Sequence, residues 1–263
     1  MTLLIVVDSF KRSTGPSPEA LAWIAAVEAA DGQALEPAVA AAMAAFFDWR
    51  VPYGGACCLL KGARTLAGAL TPLIGPAPTA VDVSGGDYTR YNLELGPDTI
   101  ASRIETGFNT SNLGLTDHHV VVRIAVALPF QPNAIALFEA ERTAGSIYTY
   151  SRGSDNAMYW ASFSSQKFTS VQGGWTDYPV GLYGVNRNSS TEFDALMAGV
   201  VTTEGRAVGT RVDAELWIGD RKNLQNHVED THIDLYSAGA YIDSAEFASQ
   251  VEAHMAAIEA ALP

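Results

Sequence analysis

The chain has 263 residues, with 16 basic against 29 acidic side chains for a formal net charge of −13; 48% of it is hydrophobic and only 17% charged. That length fits one large β domain or a smaller domain with an appendage, and so much apolar content excludes a disordered chain. An acidic chain without a basic cluster repels phosphate backbones and anionic headgroups, which excludes nucleic acid and membrane surfaces as expected partners, while the sparse charge points to surface covered in an assembly.

Residues 3–7 form a short apolar run stopped by Asp8, read as an isolated strand able to add to a sheet edge. The run is too short for the apolar region of a secretory signal, and no stretch reaches the roughly 20 apolar residues of a membrane helix. Synthesis in a cytoplasm without secretion or membrane insertion is the expectation. Ser17-Pro18-Glu19 then supplies a cap, a first-turn proline and an acidic start. Leu21, Trp23, Ile24 and Val27 give that helix an apolar face until Asp31-Gly32 ends it. A second, Ala-rich helix is expected from Glu36-Pro37, with Val39, Met43, Phe46 and Phe47 on one face and Pro52 and Gly54-Gly55 beyond its end. Such a hairpin must bury its apolar side against something else. Residues 1–56 are therefore read as an assembly or attachment unit, with Trp23, Val39, Met43, Phe46 and Phe47 as its contacts.

The only cysteines, Cys57 and Cys58, are adjacent, which resists a mutual disulfide and leaves no second pair for zinc. From there to the end, residues 57–263 read as an antiparallel sandwich with a closing helix at 244–262. Residues 71–99 are rich in turn formers and link the helical start to the regular strands. Residues 118–128 are the clearest strand: Val120, Val122, Ile124, Val126 and Leu128 share one face, while Val121, Arg123, Ala125 and Ala127 share the other. Further strands are expected near 134–141, 146–151, 158–164, 168–171, 180–185, 191–196, 199–203, 212–218 and 233–238, separated by Gly, Asn, Asp and Ser clusters. The closing helix opens on Asp243-Ser244-Ala245-Glu246 and docks Phe247, Val251, Met255 and Ile258, leaving Glu252, His254 and Glu259 in water.

Two carboxylate pairs, Glu192 with Asp194 and Asp213 with Glu215, have the i, i+2 spacing that puts both groups on one face of a strand, as glycan-cleaving chemistry requires. No third carboxylate extends either pair, so solvated outer-face groups are the favoured reading. His118 and His119 point to opposite faces of a strand and cannot share a metal ion. The stretch 226–232, with His227, Glu229, Asp230 and His232, lacks regular ligand spacing and is read as a solvated loop. There is no nucleophile elbow and no Gly-rich phosphate loop; no metal and no cofactor are expected. Trp175, Asp177 and Tyr178, in a Gly-rich turn, combine aromatic faces with a carboxylate and are the glycan-binding candidates if that turn is exposed. Tyr148, Tyr150, Tyr159 and Trp160 sit in expected strands and are read as core or cross-strand pairs.

Three stretches, Gly181-Leu182-Tyr183-Gly184-Val185-Asn186-Arg187-Asn188-Ser189-Ser190-Thr191-Glu192-Phe193, Leu216-Trp217-Ile218-Gly219-Asp220-Arg221-Lys222-Asn223 and Ile233-Asp234-Leu235-Tyr236-Ser237-Ala238-Gly239, together with residues 23–36 and 60–70, resemble the concanavalin A-like (laminin-G-like) sandwich domains encoded in many tailed-phage genomes. The resemblance covers most of the chain from about residue 18 and departs from the pattern at residues 1–15 and 47–53. It implies a mainly β, concanavalin A-like antiparallel β-sandwich (jelly roll) in a virion, and it implies no reaction. The expected role is a non-enzymatic tail-fibre or adhesion subunit, a homo-oligomer (a trimer) that meets other virion proteins and a host polysaccharide. A capsid decoration or cement protein is the alternative, with a polysaccharide-cleaving hydrolase or lyase of the virion behind it.

Overall fold

The computed structural model describes residues 15–95, 102–129, 136–140, 146–152, 157–164, 168–171, 177–219 and 231–263. Residues 3–7 lie outside them. The helices are α1 (Pro18–Asp31), α2 (Pro37–Arg50), the short α3 (Leu66–Ala69) and α4 (Ser244–Ala261). The strands are β1 (Ala56–Leu59), β2 (Thr79–Val81), β3 (Tyr88–Thr89), β4 (Asn92–Leu95), β5 (Arg103–Asn109), β6 (His118–Ile124), β7 (Leu128–Pro129), β8 (Ala136–Glu139), β9 (Ile147–Arg152), β10 (Ala157–Ser162), β11 (Phe168–Val171), β12 (Asp177–Tyr178), β13 (Gly181–Arg187), β14 (Phe193–Met197), β15 (Val200–Glu204), β16 (Glu215–Ile218) and β17 (Thr231–Gly239).

The strands build two antiparallel sheets. Sheet A runs β15-β14-β13-β6-β17-β4-β3, with β1 also paired to β17; sheet B runs β11-β10-β9-β8-β16-β5-β2. β12 pairs with β7 apart from both. The fold is mainly β, a sandwich of two antiparallel sheets with helices at its N- and C-terminal ends.

Helix boundaries follow their capping chemistry. The Ser17 hydroxyl accepts the Ala20 N–H at 3.0 Å, and Gly32 leaves α1 in the left-handed region with φ 72°. Asp48 near the end of α2 accepts the Ser17 N–H at 3.0 Å and so ties the two helices together. Asp243 caps α4 by accepting the Glu246 N–H at 3.0 Å.

These helices cover sheet A. On β6, His118 faces sheet B, where its Nε2 lies 2.8 Å from the Ser162 hydroxyl. His119 faces the helices, its ring centroid 4.8 Å from that of Phe247 in an edge-on contact. Strand alternation then sends Val120, Val122 and Ile124 inward and Val121 and Arg123 to the helix side. Every residue of β6 and β13 is buried, so sheet A has apolar layers on both faces and the molecule is layered helix, sheet, sheet. Gly184 sits where β13 presses on β6; a Cβ there would overlap the Val120 carbonyl oxygen.

The helical hairpin belongs to the same hydrophobic core as the sandwich. Trp23, Val39, Met43, Phe46 and Phe47, the expected assembly contacts, are buried within the chain itself. Trp23 stacks on Phe47 at 5.5 Å, and Phe46 packs against His254 of α4. Their apolar surface is covered by neighbouring elements of the same molecule.

Three expectations change. Of the three residues expected in water, His254 is half-buried, while Glu252 and Glu259 keep side chains 43% and 59% exposed and still pair with charges of the sheet. Glu252 binds Arg123, Glu259 binds Lys61 and His254 lies half-buried on Phe46 and Trp49, because α4 lies across a sheet face that carries charges of its own. The 71–99 stretch contains β2, β3 and β4, whose two to four residues each are too few for a readable period. Strand β1, a fully buried Ala-Cys-Cys-Leu run, has no alternation to reveal it. Phe247 is central to the layer and fully buried. Phe247→Ala should lower the unfolding free energy by about 3–5 kcal/mol, read by urea unfolding followed by circular dichroism.

Candidate binding face

A two-sheet sandwich has four sheet faces. Two form the core, the helices cover a third, and the fourth, the outer face of sheet B, is partly exposed at β5 and β16. On β5 the residues Ile104, Thr106 and Phe108 are buried while Arg103 and Glu105 are half-exposed. On β16 the same alternation buries Leu216 and Ile218 and turns Glu215 and Trp217 outward. Cross-strand register extends this row: Trp217 lies opposite Glu105 on one side and Glu139 on the other, Glu139 lies opposite Tyr148, and Tyr159 pairs with Tyr150.

The accessible part of the row is organised around Trp217. The Arg103 guanidinium lies 4.6 Å from the centre of the indole, and it binds the Glu105 carboxylate through Nε at 3.0 Å and Nη2 at 2.7 Å. Glu215 accepts the Gly107 N–H at 2.8 Å, across the register shift between β5 and β16. Farther along, Glu139, Tyr148 and Tyr159 are buried. An indole held between a guanidinium and carboxylates offers an apolar face for a sugar ring and acceptors for its hydroxyls.

The structure treats the sequence-derived candidates differently. Trp175 lies outside the described residues. Asp177 pairs with Pro129 through the main chain of β12. Tyr178 is 2% exposed and packs in the core, so its ring is not a ligand surface. The carboxylate pairs fall on different sheets. Asp194 accepts hydroxyl hydrogens from Thr203 at 2.7 Å and Ser244 at 2.5 Å, which fixes the start of α4. Glu192 and Asp213 are exposed, and Glu215 is held by Gly107. His227 lies outside the described residues, while His232 bonds Asn92 at 3.1 Å. Among the described residues no cluster of metal-ligating side chains occurs. Trp217 was missed as a site residue, although the alternation of residues 212–218 places it on the face of Asp213 and Glu215.

Beneath the helices lies a buried polar layer. Asp234, fully buried, meets Arg123 at 2.5 Å and Lys61 at 3.4 Å. Burial pushes its carboxyl up to about 6 against the pull of those two cations. Burial works on Arg123 in the opposite sense, but Glu252 and Asp234 outweigh it and hold the guanidinium above its ordinary value. Arg50, also buried, donates to Ser237 Oγ at 2.7 Å and the Ala238 carbonyl at 3.0 Å; burial draws its pKa down. Between the sheets, Arg187 donates to Ser162 at 3.0 Å and to the carbonyls of Ser189 and Arg206 at 2.9 and 3.1 Å. These groups fasten layers together and face no open surface.

His118 is neutral in the fold, since burial drives its pKa down to about 3 despite its bond to the Gly114 carbonyl. An unfolded histidine takes up its proton near 6.5. The unfolded chain therefore binds more protons between those values, and the contribution of His118 is present above about pH 6.5 and lost as pH falls towards 3. Asp234 runs the other way: its folded pKa is the higher one, so protonation below about 6 favours the fold. His118→Gln should lower the slope of unfolding free energy against pH, between about 4 and 6, by up to about 1.4 kcal/mol per pH unit, in the negative direction that Asp234 favours. Urea titrations at stepped pH measure that slope.

No family model matches the sequence, and no curated protein matches it. Among solved structures, the botulinum neurotoxin serotype D binding domain is similar with a TM-score of 0.56 and 10% identity, covering 79% of this chain and 52% of that one. A mutant of HCR/D gives 0.51 and 10%, covering 76% and 51%. The chain spans about half the length of these structures, and what it shares with them is the sandwich fold. The CBM40 of Ruminococcus gnavus IT-sialidase is similar at a TM-score of 0.36 and 12% identity, covering 66% and 97%, too low to bear on the argument.

Proposed function

We propose that this chain is a non-enzymatic binding module that takes a glycan on the outer face of sheet B, and that it serves as an adhesion subunit of a phage virion. The observation that carries the binding role is the placement of Trp217, Arg103, Glu105 and Glu215 as partly exposed neighbours on the outward side of β5 and β16. The fold it shares with a neurotoxin binding domain fits a surface used for recognition. The resemblance of residues 181–193, 216–223 and 233–239 to phage sandwich domains supports the virion setting, with other virion proteins as partners and a host polysaccharide as ligand.

Binding without cleavage is favoured because Asp194 spends both carboxylate oxygens on Thr203 and Ser244, and Glu215 holds the Gly107 N–H through Oε1 and keeps Oε2 to accept from a ligand, leaving neither pair as two free carboxylates at glycosidase spacing. On a virion, weak single contacts gain strength from many copies held together.

On a glycan array the purified protein should bind at least one bacterial surface polysaccharide, and Trp217→Ala should weaken that binding about tenfold or more, a loss of about 1.4 kcal/mol. Prolonged incubation with the bound polysaccharide should release no new reducing ends. Unchanged affinity in Trp217→Ala would remove sheet B from the account, and cleavage abolished by Glu215→Gln would make the protein an enzyme.

A further inference from the structure

Sheet A ends in the hairpin β14–β15, and among the described residues nothing pairs with the outer side of β15. The hairpin turn is Ala198-Gly199, with φ values of 50° and 78°. Two successive positive φ angles make the two-residue turn whose flanking residues, here Met197 and Val200, exchange both main-chain hydrogen bonds. Bonded pairs then alternate along the ladder: Met197 with Val200, Ala195 with Thr202, Phe193 with Glu204. Val201 and Thr203 consequently turn their N–H and C=O groups away from β14.

This edge lacks the devices that normally blunt one. Val200 is 61% exposed, Thr202 and Thr203 are exposed, and Val200–Glu204 holds no lysine, arginine or proline. At the opposite end of the same sheet, β3 has only two residues.

We propose that β15 joins the β15 of a second copy of this chain, antiparallel across a two-fold axis at Thr202, so that the two A sheets become one. The outward groups select the register. Val201 of each copy bonds Thr203 of the other, Thr202 faces Thr202, and Val200 faces Glu204. Sliding either copy by two residues would draw Gly199 or Gly205, both outside the strand, into the ladder. In the chosen register no like charges face each other, which matters for chains of net charge −13, and paired threonines are a favourable cross-strand contact. The contact is isologous and closes at two copies, in place of the three-fold arrangement expected from the helical hairpin.

Sedimentation and light scattering of the full chain at micromolar concentration should give twice its 27.9 kDa. Val201→Pro removes an outward donor while leaving the bonds to β14 intact, and it should give a monomer with unchanged far-ultraviolet circular dichroism. Thr202→Cys should form a covalent dimer on mild oxidation, since facing residues of a non-bonded pair have Cβ atoms about 4.5–5.5 Å apart, and Thr203→Cys should not. The chain's own Cys57 and Cys58 are buried and do not compete. The cross-link decides the matter if the proline variant fails to fold. A monomeric wild type, a Thr202→Cys protein that does not cross-link, or a dimer that survives Val201→Pro but is lost on deletion of residues 1–14 would each overturn the proposal.

Discussion

The central strands of sheet A have no wet face, and most of the structure follows from that. An ordinary antiparallel sheet shows one side to water and can leave polar residues there unpartnered. Here β6, β13 and β17 are enclosed between sheet B on one side and α2 and α4 on the other. Each polar group on the helix side must find its partner inside the protein, because an isolated buried charge costs far more than a buried pair. Arg123 and Lys61 share Asp234 and reach Glu252 and Glu259 on α4; Asn186 donates to the Ile242 carbonyl and to Ser244 where that helix begins; Arg50 and His119 share Ser237. The sequence spends its scarce charges on joining layers. Apolar packing supplies the attraction between helices and sheet, and these bonds fix where each helix lies.

The same enclosure explains what could be read from the residues alone. The helices were legible because their caps and stripes are local: Ser17-Pro18, Gly32 and Asp243 place three of the boundaries. The antiparallel sandwich was legible from period-two runs and turn clusters. The destination of the helices was not, since an apolar face on α2 looks the same whether a neighbouring molecule or the chain's own α4 covers it. The fate of Glu252 and Glu259 was hidden for a similar reason: Arg123 and Lys61, which claim them, lie 129 and 198 residues away. Tyr178 could not be separated from an exposed loop aromatic by composition, whereas Trp217 could have been found by extending the alternation already recognised around Asp213 and Glu215.

Enclosing one sheet concentrates the remaining interaction surface. With helices over sheet A, the proposed glycan surface on sheet B and the proposed pairing edge at β15 lie on different sheets. Such a separation lets one copy hold a ligand while pairing with another, which is the arrangement that multivalent attachment needs. The low charge of the chain and its exposed β-branched edge residues agree with a protein that works in contact with others.

Strand β17 gives the fold a temporal constraint. Its first residues pair with β4 and its last with β1, both on one side, while β6 runs along the other; it is the seam at which early and middle segments of the chain meet. On a ribosome, β1, β4 and β6 are all made long before the residues that join them. Until 231–239 emerge, those strands wait with open edges, exposed to nonspecific pairing. Completion of sheet A accordingly waits for β17, slow in the way that distant strand pairings are slow, and a product terminated before that seam keeps only the β15-β14-β13-β6 part of the sheet.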